Sequence, residues 1–180
     1  MLEITIPKRE HYDEQRNEFI YTQERVLRLE HSLVSISKWE AKWQKPFLSG
    51  NEKNVDEIVD YIRCMTVSQN VDPEVYKCLT ADNMREINNY IDAPMTATTF
   101  NNMRNQAGNR EIITSEIIYY WMVTFNIPFE CEKWHLNRLL ALIKVCNLKS
   151  NPPKKMSKQE VMNRNKQLNA ERRRRLNTNG

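Results

Sequence analysis

Few side chains in this chain have the types and spacing that chemistry requires. Cys131 and His135 stand at i and i+4 in a segment expected to be helical, which puts a thiol and an imidazole on one face, the geometry of half a zinc site. The other two ligands would have to be Cys64 and Cys78, and no Cys-x-x-Cys supports them, so packed free thiols and a partly buried histidine are the expectation. Glu40-Ala41-Lys42 matches half of a metal-dependent nuclease motif. That chemistry needs a further acid on a neighbouring strand to hold magnesium, and the segment here reads as helix. His11, His31 and His135 lie in unrelated segments with no adjacent nucleophile, so a nucleophilic triad is unsupported. No catalytic residue, cofactor or metal ligand is assigned.

What stands out instead is suited to binding. Lys154, Lys155, Lys158, Arg164, Lys166 and the run Arg172, Arg173, Arg174, Arg175 form a basic C-terminal stretch. Residues 149–180 hold ten Lys/Arg against two Asp/Glu, a net +8, while residues 1–148 hold seventeen against twenty-one, a net −4. A mildly acidic body therefore carries a cationic arm, which can serve a polyanion, an acidic protein surface, or merely solubility. No base-stacking aromatics lie in the arm, so any nucleic-acid contact would be non-specific. Tyr119, Tyr120, Trp121 and Trp134 are the densest aromatic group; they read as core or as a self-association or partner surface.

The elements that position these groups follow from periodicity. Leu2, Ile4 and Ile6 alternate with polar residues as in a half-buried strand, and Pro7 ends it. Residues 19–21 and the alternation of Leu27, Leu29 and His31 suggest two more strands of a small antiparallel sheet. Helical spacing begins after Ser32 with Ile36, Trp39 and Trp43. Asn54-x-x-Glu57 starts a second helix, Asp72-Pro73 a third, and Thr80 a fourth carrying Met84, Ile87 and Ile91. Residues 92–110 form a long polar loop. A helix over 111–126 is apolar on nearly every side. After Pro128 another is expected from 129 to 148, packed against it as an antiparallel hairpin. Pro152-Pro153 closes the globular part, and Ser157-x-x-Glu160 starts a polar helical arm. The expected class is α+β: a mainly helical body over 1–150 with an N-terminal sheet, and a basic arm over 151–180.

Composition excludes much else. Three glycines are too few for a glycine-rich sandwich or phosphate loop. The longest obvious apolar run, 117–123, is far short of the roughly 18 residues that cross a bilayer. The first residues lack a secretory pattern, so a soluble chain with no membrane contact is expected.

Four blocks of the sequence together resemble a group of small proteins from tailed bacteriophages: Leu29-Glu-His-Ser-Leu-Val-Ser-Ile-Ser-Lys-Trp-Glu40, Glu111-Ile-Ile-Thr-Ser-Glu-Ile-Ile-Tyr-Tyr-Trp-Met122, Lys133-Trp-His-Leu-Asn-Arg-Leu-Leu140, and Pro152-Pro-Lys-Lys-Met-Ser-Lys158 continuing into Asn163-Arg-Asn-Lys-Gln-Leu-Asn169. The group resembles tail assembly chaperones, which coat the tape-measure protein before the tail tube polymerises. The resemblance implies a non-enzymatic protein of the host cytoplasm whose partner is the tape-measure protein, with self-association a further expectation. A longer form made by ribosomal frameshifting is a further expectation of the resemblance, one that the protein sequence does not show. The alternatives from the residues themselves are a nucleic-acid-binding packaging or regulatory protein that uses the arm, and a structural head–tail component.

Overall fold

The computed structural model describes residues 1–13, 17–50, 52–100, 112–150 and 158–176. They form an α+β, mainly helical protein with two compact units, Met1–Cys146 and Asn147–Gly180.

The first unit begins with an antiparallel ribbon. β1 (Leu2–Ile6) pairs with β4 (Arg25–Leu29), and β2 (Arg9–Asp13) pairs with β3 (Glu18–Thr22). In both ladders residue i faces residue 31 − i, so the register runs unbroken past Pro7, which only removes a ladder donor. Ile4, Ile6, Leu27 and Leu29 are fully buried, while Glu3 and Arg28 pair across the solvent side at 3.0 Å. The covered face changes along the ribbon. In β3, Thr22 is buried, its Oγ1 donating to the Arg9 carbonyl and lying 3.1 Å from Cys78 Sγ, while Tyr21 points outward. β2 is not foreseen by the sequence, which has no apolar alternation there. The strand predicted through His31 stops at Leu29. His31 instead lies buried at the turn into the first helix.

Three of the four predicted helical starts that follow behave as their caps dictate. α1 (Leu33–Trp43) opens on a Ser32–Ser35 capping box and buries Leu33, Ile36 and Trp39. α2 (Val55–Met65) opens on Asn54 and Glu57, and its following residues return to extended backbone beside β4 through Glu30 N–H to the Met65 carbonyl and Val67 N–H to the Arg28 carbonyl. Indole donors bind α1 to α2: Trp39 Nε1 to the Glu57 carbonyl at 2.8 Å and Trp43 Nε1 to Asp60 at 2.9 Å. Asp72-Pro73 starts only a 3-10 segment, Pro73–Cys78. α3 (Ala81–Asp92) follows its Thr80 cap, and Asn83 Nδ2 fastens it to the Thr5 carbonyl of β1.

The C-terminal part of this unit departs from its local signals. α4 (Ser115–Thr124) has no side-chain cap of its own. Glu40 of α1, itself buried, accepts the Ser115 N–H at 2.7 Å through one carboxylate oxygen and the Phe47 N–H at 2.7 Å through the other. A carboxylate at a helix N-terminus satisfies an otherwise orphaned donor and complements the helix dipole. The helix predicted from 129 is divided: a 3-10 segment Phe129–Lys133, then α5 (Leu136–Ser150). The break has a tertiary cause. His135 makes an isolated bridge with Ser32, and Leu136 N–H donates to the His31 carbonyl at 2.7 Å, so this backbone is drawn to the start of α1. The closest backbone approach of α4 to another helix is to α1.

The second unit contains α6 (Lys158–Leu176), 19 residues long. The predicted cap Ser157 lies outside the described residues. Of the long predicted loop, residues 93–100 have no regular structure, and the rest also lies outside the described residues.

Candidate interaction surfaces

The groups suspected of chemistry are occupied in holding the fold. Cys131 lies in the 3-10 segment and His135 beyond it, so they do not share a helix face. His135 Nε2 meets the Tyr90 carbonyl at 2.9 Å, and its Nδ1 accepts the Asn137 N–H at 3.3 Å. Burial pushes the Cys131 and Cys64 thiols up, away from the nucleophilic thiolate. His31 packs edge-on against His135 at 5.1 Å, and its Nδ1 lies 2.5 Å from the Tyr61 hydroxyl. Burial, with the second imidazole alongside, lowers its pKa to about 4. The Glu40-x-Lys42 pattern is also absorbed: Glu40 caps α4, and Lys42 pairs with Asp60 of α2. Among the described residues no group of three or more His, Cys, Asp or Glu could hold a metal ion, and no helix is long and apolar enough to cross a membrane. The His11 side chain lies outside the described residues.

The four aromatics do not form one patch. α4 buries Ser115, Ile118 and Met122 and turns Glu116, Tyr120 and Val123 to solvent on the opposite side. Tyr120 is 66% and Val123 59% exposed, so this helix, apolar almost all round, leaves one apolar face uncovered. Tyr119 is half-buried at the edge of that face, its hydroxyl donating to Glu132 at 2.9 Å and its ring 6.4 Å from that of the exposed Phe129. Glu116 is held below the usual carboxylate range by hydrogen bonds from its own N–H and from Thr114, and Glu130 is exposed nearby in sequence. Glu116 and Glu132 thus lie beside this apolar surface. Trp121 is half-buried on another side of α4, and Trp134 carries the Arg138 guanidinium 4.2 Å over its ring.

The basic set divides differently. Arg164, Lys166, Arg172, Arg173, Arg174 and Arg175 are all exposed along α6. Lys158 begins the helix, with its side chain outside the described residues, as are Lys154 and Lys155 altogether. By the 3.6-residue turn, Met162, Leu168 and Leu176 fall within about one third of the circumference, and all three are exposed.

Sequence reasoning missed one feature. A cleft of about 800 Å³ opens between α1, α2 and the start of α3, lined by Trp43, Val59, Arg63, Tyr76, Leu79 and Met84. Its residues have the helical spacing of core stripes, and spacing does not reveal that a stripe is only partly covered. Of its charged lining residues, Lys42 pairs with Asp60, Lys77 pairs with Glu74, the Arg63 guanidinium rests over the Tyr76 ring, and Asp56 is exposed.

No family model, curated protein or solved structure matches the chain.

Proposed function

We propose that the protein is a non-enzymatic tail assembly chaperone that binds the tape-measure protein during phage tail morphogenesis in the host cytoplasm. The four resembling blocks supply the family. The observation that carries a binding role is α6: a 19-residue helix whose described side chains are all exposed, ending in four consecutive arginines and a leucine, on a chain whose first 148 residues are net acidic. So polar a helix gains little from burying itself, and its ordering is favoured by a partner that covers it. A tape-measure protein is a long helical chain with exposed apolar stripes. In this reading α6 captures it electrostatically, and the uncovered face of α4, with Tyr120 at its centre, adds apolar contact. No bond is made or broken.

Deletion of residues 152–180 tests the reading. The body should keep its cooperative melting transition while its affinity for the tape-measure protein falls at least tenfold. Unchanged affinity would remove the arm from the mechanism.

The arginine run also favours a second reading, a packaging or regulatory protein that binds nucleic acid. Phosphate neutralisation makes such binding fall steeply with salt. Tight DNA or RNA binding with that dependence, lost on deleting the arm, would favour it over the chaperone. Retention in purified virions, detected by mass spectrometry, would instead indicate a structural head–tail component.

A further inference from the structure

The chain carries two exposed surfaces that complement each other. One is the outward face of α4, Tyr120 and Val123 with Glu116 one turn away, adjoined through the Tyr119 ring by Phe129 of the 3-10 segment, in which Glu130 is exposed and Glu132 accepts from the Tyr119 hydroxyl. The other is α6, with seven Lys/Arg against two Glu and a narrow stripe of Met162, Leu168 and Leu176.

We propose that α6 of one copy docks on the α4 face of a second copy, with the apolar stripe against Tyr120 and Val123 and the arginines against the bordering glutamates. Charge complementarity identifies the occupant. The acidic edge asks for a basic amphipathic helix, and every copy of this chain supplies one. The dimensions agree: at 1.5 Å per residue α6 is about 28 Å long and α4 about 15 Å, so one arm can cover the whole face and the adjoining segment. The two surfaces differ, so the contact is head-to-tail. Such a contact leaves a free arm at one end and a free face at the other, and it grows into rings or open arrays rather than stopping at a dimer. This docking uses the two surfaces that the chaperone reading gives to the tape-measure protein, so the two contacts compete: a partner that takes the arm or the face displaces the neighbouring copy.

Sedimentation velocity on the full chain tests it. Mass should rise with concentration beyond that of a dimer at low salt and fall back towards the monomer as salt is raised. A doubly charge-reversed face, Glu116→Lys with Glu130→Lys, and a doubly reversed arm, Arg173→Glu with Arg174→Glu, should each weaken self-association at least tenfold. Mixing the two variants should restore a complex, because one retains a native arm and the other a native face, and two pairs of reversed charges also meet. All these residues are exposed, so circular dichroism should show both variants folded. A wild-type chain that stays monomeric throughout would overturn the proposal. So would charge-reversed chains that associate as the wild type does, or variants that each lose association but form no complex when mixed. Tape-measure affinity measured on the same variants is a separate readout, so failure of one reading is distinguishable from failure of the other.

Discussion

The unit Met1–Cys146 and the helix α6 deploy charge in opposite ways. In the body the important carboxylates face inward and are satisfied by protein. Glu40 holds two backbone amides, Glu57 closes the α2 capping box and meets Lys45 at 2.5 Å, and Asp60 receives Lys42 and the Trp43 indole. In α6 the described charges face water. Burial makes a charge part of the architecture, because removing its partner strands a desolvated group. Exposure makes it available to something else, because a screened surface charge contributes little to folding. Variants of these buried carboxylates should therefore cost stability, and variants of the α6 charges should cost binding.

The largest effect that would sharpen this contrast is expected at Glu40. Glu40→Ala leaves the Ser115 and Phe47 amides without their acceptor and should cost about 2–6 kcal/mol, each unsatisfied donor contributing about 1–3. Urea titration of the purified chain measures this; a loss below about 1 kcal/mol would mean that α4 is not anchored through this carboxylate. A smaller effect should follow from pH. His31 takes up a proton at about pH 4 in the fold but near 6.5 when unfolded, so protons favour the unfolded state between those values. Stability should be full above pH 6.5 and decline as pH falls towards 4. The loss is at most about 3 kcal/mol, because each pH unit between the two values is worth about 1.4 kcal/mol. Stability curves at pH 7 and 4.5 check it, with His31→Gln expected to flatten the dependence; a wild-type curve indifferent to pH over that range would contradict the buried neutral imidazole. The smallest effect belongs to the arm. Replacing Arg172, Arg173, Arg174 and Arg175 together by alanine should leave the main unfolding transition within about 0.5 kcal/mol of wild type, as for surface substitutions generally. A larger loss would break the division between the two regions.

How much could be read in advance depended on how local the cause was. α1, α2 and α3 start where Ser32, Asn54 and Thr80 say they should, because each capping box is complete within four residues. β1 and β4 were legible because their inward residues alternate strictly. β2 was not, because Arg9–Asp13 offers no apolar alternation and takes its order from pairing with β3. The layout of 111–148, with its divided second helix, escaped for a similar reason. Its geometry is set by Glu40, 75 residues before Ser115, and by His31, more than a hundred before Leu136, and neither leaves a periodic trace. The cationic arm was plain from charge counts alone. The uncovered face of α4 was not, because a helix apolar on all sides does not announce which side its neighbours will take.

The reach of Glu40 has a consequence for synthesis. A ribosome delivers α1 well before Ser115, so for some seconds the nascent chain, at roughly 5–20 residues per second, holds a carboxylate shaped for an amide that does not yet exist. The early fragment can assemble its ribbon and first helices, yet it must keep that anionic site hydrated. The contact that anchors the start of α4 can form only once residues more than seventy positions downstream have been made.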